Sequence, residues 1–97
     1  MTTAPRFKLG RLMATSTVLQ RLREAHRDPL EFIRRHQSGD WGEVEPEDQE
    51  ANERAVTQGD RILSVYHVES PPQSAFTVWI LTEADRSMTT LLLPREY

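Results

Sequence analysis

The residues best placed by type and spacing to do chemistry gather around Asp85-Arg86, which lie in a short polar stretch, Thr82 to Ser87, between two apolar runs. A connection this short makes a hairpin. Arg86 then stands at its tip with Thr82, Thr89 and Thr90 close by. A guanidinium offers forked donors and the hydroxyls neutral ones, which is the chemistry of a phosphate site. The same residues also fit an Asp-Arg turn flanked by threonines that favour strands.

Ser64, Tyr66 and His67 follow Asp60 and supply the residue types of a hydrolase triad. Strand periodicity separates them, since Ser64 and Tyr66 share one face while His67 points to the other. A core-facing Tyr66 with a bonded hydroxyl is the better reading. His26, His36 and His67 have no spacing that brings two onto one metal from a single element, and each reads as a surface or half-buried side chain. The chain has no cysteine, which excludes thiol nucleophiles, iron–sulfur clusters and disulfide staples. No P-loop, GxGxxG, GxSxG or HExxH pattern occurs. The expectation is no metal and no cofactor.

Charge is strongly segregated along the chain. Met1 to Gln37 holds eight Lys or Arg against three acids, Ser38 to Asp60 one Arg against eight acids, and Arg61 to Tyr97 three Arg against four acids. A basic and an acidic face could each steer a charged partner, or the two could be solvated helix faces that partly neutralise each other.

The elements that must position these residues follow from pattern. Phe7 to Ala14 reads as a short strand or an ordered arm, interrupted by Gly10. Thr15, Ser16 and Thr17 are candidate N-caps for a first helix with Val18, Leu19 and Leu22 on one face. Asp28-Pro29 opens a second helix to about Gln37, with Leu30 and Ile33 as its stripe, Phe32 and His36 on a neighbouring face, and Gly39 as its stop. Arg34, Arg35 and Gln37 would be its only base-reading side chains if the pair were a helix-turn-helix. After the Asp40-Trp41-Gly42 loop, Pro46 opens a third, acidic helix to about Gln58, closed by Gly59. Arg61–Val68, Phe76–Leu81 and Met88–Leu93 read as strands, with Glu69 to Ala75 as loop.

Short connections between these strands favour an antiparallel meander. The expected fold is α+β, with short N-terminal helices packed on a C-terminal antiparallel sheet of three to four strands. Leu19, Leu22, Leu30, Ile33, Ile62, Val78, Ile80, Leu91 and Leu92 form the expected core, and Trp79 is expected to be buried in mid-strand. Trp41 is either a lid on that core or an exposed hot spot. Both phases of the last two strands are apolar, so the second sheet face needs a cover: a homodimer or the N-terminal arm. At 97 residues, 37% hydrophobic and with a mean hydropathy of -0.62, the chain is expected to form one domain over 1–97, with 1–6 as a flexible arm. No leader or membrane-spanning run is evident, so the expected setting is cytoplasmic, away from membranes.

The stretch TVWILTEADRSMTTLLLPREY, with GDW at Gly39 to Trp41 and GDRILSVY at Gly59 to Tyr66, resembles a family of small bacterial proteins of plasmids, phages and other mobile elements. The resemblance spans about Phe7 to Tyr97 and implies a mobile-element setting without an assigned activity. More distantly, a final hairpin with threonine in its last strand is similar to the small nuclease fold of RelE-type and colicin-type toxins. That similarity implies RNA cleavage by Arg61, His67, Arg86, Thr89 and Thr90, the residues of matching kind.

Two functions of different class follow. One is a non-enzymatic binding protein that occupies a host protein, with inhibition of a host defence system as its narrower form, and Trp41, Glu47, Asp48, Glu50, Glu53 and Arg86 as the contact set. The other is a metal-independent RNase-like toxin built on the five residues above. The binding reading leads because it requires no catalytic set. The strand region also departs from the nuclease pattern in having no lysine and one more acid than base, whereas holding nucleic acid requires its phosphates to be neutralised. Whether the basic N-terminal segment touches nucleic acid stays open.

Overall fold

The computed structural model describes residues 4–97. In chain order it contains β1 (Arg11–Ala14), α1 (Ser16–Glu24), α2 (Pro29–Ser38), α3 (Pro46–Gln58), β2 (Ile62–Val68), β3 (Phe76–Thr82) and β4 (Met88–Leu92), then a 3₁₀ turn at Pro94–Glu96. The fold is α+β, as the patterning predicts. β2, β3 and β4 form the antiparallel meander, with Ser64 opposite Ile80 and Ile80 opposite Leu91. The fourth strand joins differently: β1 lies beside β4 and parallel to it, giving the order β1-β4-β3-β2. The sheet is therefore mixed.

Each helix starts where local chemistry sets its first turn. Thr15 is the N-cap of α1, its hydroxyl accepting from the Val18 amide, and Asp28 caps α2 from the Leu30 amide. Gly39 ends α2 in the left-handed conformation at φ 93°, which carries no Cβ penalty. Val18 and Leu22 of α1 and Phe32, Ile33 and His36 of α2 pack on the inner sheet face against Tyr66, Val68, Val78, Ile80 and Leu91.

Leu19 and Leu30, expected in this core, are 37% and 44% exposed. A helix of nine or ten residues resting on a sheet along one narrow seam buries little more than one residue per turn. The seam runs through Val18–Leu22 and Phe32–His36, which leaves the neighbouring leucines outside. Trp79 also departs from expectation and is only half-buried. It pairs with Val65 and Leu92 on the outer face, opposite the face on which α1 and α2 pack, and its main aromatic neighbour there is Tyr97, ring centroids 5.6 Å apart. Leu63, Val65 and Thr90 share that face and are likewise half-buried.

The N-terminal arm does not cover the outer face. It crosses the inner side, where Phe7 stacks near Trp41 and meets the His36 ring edge-on at 5.1 Å. Arg6, placed in a flexible arm on sequence grounds, is anchored twice. Its amide donates to the Gln37 carbonyl at 2.9 Å, and its guanidinium makes two hydrogen bonds to Glu53.

Trp41 belongs to a second apolar centre with Ala55 and Ile62, and Phe7, Val44 and Val56 pack around it. It is 5% exposed, and its indole N–H donates to Glu53 at 2.9 Å. Of its two expected roles the structure gives it the lid. Trp41→Ala is expected to cost about 3–5 kcal/mol by removing a large buried ring, and Trp41→Phe about 1 kcal/mol by removing the indole bond. Urea denaturation of the two variants measures both losses.

Candidate functional site

The hairpin tip shows where charge placement has a structural purpose. Arg86 sits in the left-handed region at φ 61°, a conformation uncommon for residues other than glycine. Its guanidinium accounts for the choice of residue. It donates to the carbonyls of Ala55 at 2.6 Å, Asp60 at 2.7 Å, Glu83 at 3.1 Å and Ala84 at 3.3 Å. One side chain thus satisfies the C-terminal end of α3, the start of β2 and the hairpin together. With its donors pointed at protein carbonyls, it is not presented to a phosphate.

The threonines beside it divide between the two sheet faces. Thr82 and Thr89 are fully buried on the inner face, and Thr90 is half-buried on the outer one. Arg61 and His67 lie six positions apart along β2 and its approach, a separation of about 20 Å at strand rise. Arg61 faces Glu83 at 3.6 Å, and His67 faces Glu69 at 3.2 Å. The five residues matched to a nuclease therefore do not converge on one point.

What the inner threonines do is hold a histidine. His36, read from sequence as a surface or half-buried side chain, has no exposed surface at all. Its Nδ1 lies 2.6 Å from Ser64 Oγ and its Nε2 2.8 Å from Thr82 Oγ1. Thr82 Oγ1 is 2.7 Å from Thr89 Oγ1, which donates to the Leu9 carbonyl at 2.7 Å. Each hydroxyl has one proton, so the direction of the chain is determined. Thr89 gives its proton to Leu9 and accepts from Thr82; Thr82, having donated, accepts from Nε2–H. Nδ1 is then bare and accepts from Ser64.

Burial, and next the charge of Arg86, push the His36 pKa down to about 3. The imidazole is neutral in the folded protein and out of reach of substrate. Its signal in the sequence is the pairing of Phe32 with His36 four residues apart, together with Ser64, Thr82 and Thr89, which the strand register places on the inner face. Tyr66 shares that face, as its period predicts, and its hydroxyl donates to the Asp40 carbonyl at 2.6 Å.

Four of the eight cations of the N-terminal segment, Arg6, Arg21, Arg27 and Arg35, are engaged as well. Arg21 lies over the Phe76 ring at 4.6 Å and donates to the Ser74 carbonyl. Arg27 lies over Phe32 and pairs with Glu31; Arg35 lies over Tyr66 and pairs with Asp40 at 2.7 Å. Glu53 receives Arg6 and Trp41, and those hydrogen bonds, the Arg6 pair foremost, hold its pKa down to about 2. Glu53, Trp41 and Arg86, three of the six residues expected to contact a partner, thus have partners within the protein itself, Glu53 while remaining exposed.

Glu47, Asp48 and Glu50 are the other three, and they are exposed on α3. Among the described residues, no ion pair involves them, Glu43 or Glu45. Beside them runs a groove of about 480 Å³ between α3 and the outer sheet face. Leu63, Val65 and Trp79 line its floor, Glu43, Glu45 and Asp48 its acidic rim, and Arg61 also borders it. The sequence reading found the acidic helix but not the groove, which depends on Trp79 facing outward.

No family model, curated protein or solved structure matches this chain.

Two outcomes test this geometry. Arg86→Ala is expected to lower stability by about 2 kcal/mol, since the Asp60 and Ala84 carbonyls lose the guanidinium donor and those of Ala55 and Glu83 keep only a backbone amide each, and chemical denaturation reads the loss. For His36, the unfolded chain takes up a proton near pH 6.5 while the folded one resists until about pH 3, so stability is present above pH 6.5 and falls as pH drops through that window. Between pH 7 and pH 5 the expected loss is about 2 kcal/mol. Urea titrations at both pH values check it, and His36→Asn is expected to be less stable throughout but to lose this pH slope.

Proposed function

We propose that this chain is a binding protein with no catalytic step, which acts by occupying a basic surface of a protein partner through the acid-rimmed groove between α3 and the outer sheet face. The observation that carries the reading is the cluster of exposed carboxylates on α3 and the groove rim, Glu43, Glu45, Glu47, Asp48 and Glu50, none of which is in an ion pair among the described residues. The Arg6, Arg21, Arg27, Arg35 and Arg86 guanidiniums are engaged by carbonyls, carboxylates and rings of the protein itself, whereas the carboxylates of Glu43, Glu47, Asp48 and Glu50 face outward.

A lysine or arginine fits such a groove, because its apolar stem lies along Trp79 and Val65 while its head reaches the rim. Electrostatics of this kind sets encounter rate and selectivity more than raw affinity. The tail resemblance to mobile-element proteins leads us to a host protein as the partner, with a defence component as the narrower form. The RNase-like reading is weaker, since its central guanidinium is engaged elsewhere.

Capture of a bacterial partner on immobilised protein is expected to be strong at low salt and to fall as ionic strength rises. The variant Glu43→Gln/Glu45→Gln/Asp48→Asn, which neutralises the groove rim, is expected to lose capture while keeping a cooperative melt. Undiminished capture by that variant would overturn the assignment. So would metal-independent RNA cleavage by the wild type that His67→Ala abolishes.

A further inference from the structure

The two edges of the sheet are treated very differently. On β2 the outward backbone groups of Leu63 and Val65 are met by other parts of the chain: Asn52 donates to the Leu63 carbonyl at 2.8 Å and accepts from the Leu63 amide at 3.2 Å. The Val65 amide donates to the Trp41 carbonyl, and the Val65 carbonyl accepts from the Glu43 amide at 2.7 Å. β1 forms the opposite edge, and all four of its residues are exposed. Leu12 and Met13 are 47% and 44% exposed there. An apolar, uncovered edge strand is a template for pairing with another strand.

Register fixes which groups are free. The amides of Arg11 and Thr15 donate to Ser87 and Leu91 of the β4 side, so alternate residues face inward and the N–H and C=O of Leu12 and Ala14 face out. We infer that β1 pairs antiparallel with β1 of a second copy of this chain, with Met13 opposite Met13 and Leu12 opposite Ala14, joining the two sheets into one of eight strands. A two-fold axis normal to the sheet keeps inner faces with inner faces, which permits this register and makes Leu12–Ala14 the hydrogen-bonded pairs.

Charge selects a second copy rather than an unrelated strand. The same register sets Arg11 opposite Thr15, whose hydroxyl is bonded to the Glu96 carboxylate at 2.8 Å. Arg11 is exposed, with no ion pair of its own among the described residues. Two symmetric Arg11–Glu96 contacts then flank the strand pair. An interface this short lies at the weak end of protein contacts, so the dimer forms and dissociates with concentration. It leaves both α3 grooves at the far ends of the joined sheet, and its failure would not touch the groove assignment.

The absence of cysteine makes the register directly testable. At a non-hydrogen-bonded antiparallel pair the Cα atoms stand about 4.5 Å apart, within disulfide reach. Met13→Cys is therefore expected to give an oxidised dimer on non-reducing gels. Leu12→Cys, set opposite Ala14 rather than itself, is expected to give about tenfold less. Adding Ala14→Pro to Met13→Cys removes an outward amide that β4 does not use, and is expected to abolish cross-linking while the melt persists. Wild-type sedimentation is expected to show a dimer fraction that rises with concentration and is reduced by Arg11→Glu. Equal cross-linking by both cysteines, preferential cross-linking by Leu12→Cys, absence of cross-linking by Met13→Cys, or a strict monomer at millimolar concentration would each overturn the inference.

Discussion

The rest of the structure depends on a single line of hydrogen bonds through the core. From Ser64 through His36, Thr82 and Thr89 to the Leu9 carbonyl, it touches β2, α2, β3, β4 and the N-terminal arm in turn. Apolar packing alone tolerates slippage, because one leucine contact resembles another. A directional chain with one proton per link does not. Moving β4 by one residue against β3 would take Thr89 to the other face and leave Thr82 and the imidazole without partners in a water-free interior, where each unmet polar group costs about 1–3 kcal/mol. The polar core therefore specifies the register of the meander and the placement of α2 upon it.

Around this line the protein uses cations as covers. Arg21, Arg27 and Arg35 lie over the rings of Phe76, Phe32 and Tyr66, covering aromatic faces that two short helices are too small to enclose. Arg6 and Arg86 close the second apolar centre, one through Glu53 and the other through the end of α3. A net charge of -3 is thus unevenly presented. Half of the twelve positive groups, Arg6, Arg21, Arg27, Arg35, Arg61 and Arg86, are engaged by the protein itself, and the outward character of α3 is acidic.

Much of the fold was legible because it rests on local rules. Thr15, Asp28-Pro29, Gly39 and Gly59 mark helix boundaries by capping chemistry, and the three C-terminal strands declare themselves by β-branched and aromatic content. The misplaced residues share one cause. Whether Leu19 or Val18 is buried, and whether Trp79 faces helices or solvent, depends on which flank of a short element meets the sheet, and that is decided by tertiary packing. The parallel strand was harder still, since RLMA has four residues and no alternation. At the candidate site, the acidic helix was readable from composition alone. That Arg86 and Glu53 are engaged by the protein itself was not, because Arg86 reaches the Ala55 and Asp60 carbonyls and Glu53 the Arg6 guanidinium, partners far away in sequence.

The pairing of Arg11 with Met88 has a consequence for how the molecule comes into being. Bringing together segments so distant along the chain is entropically costly until the intervening structure exists. A ribosome extruding this protein holds Phe7 to Ala14 without a docking place until the β3–β4 hairpin has emerged. During that interval the imidazole on α2 lacks its Phe7 cover and Thr89, and water reaches it. The last act of folding is then a dehydration: the arm closes, the Leu9 carbonyl accepts the Thr89 hydrogen bond, and His36 becomes a fixed neutral strut.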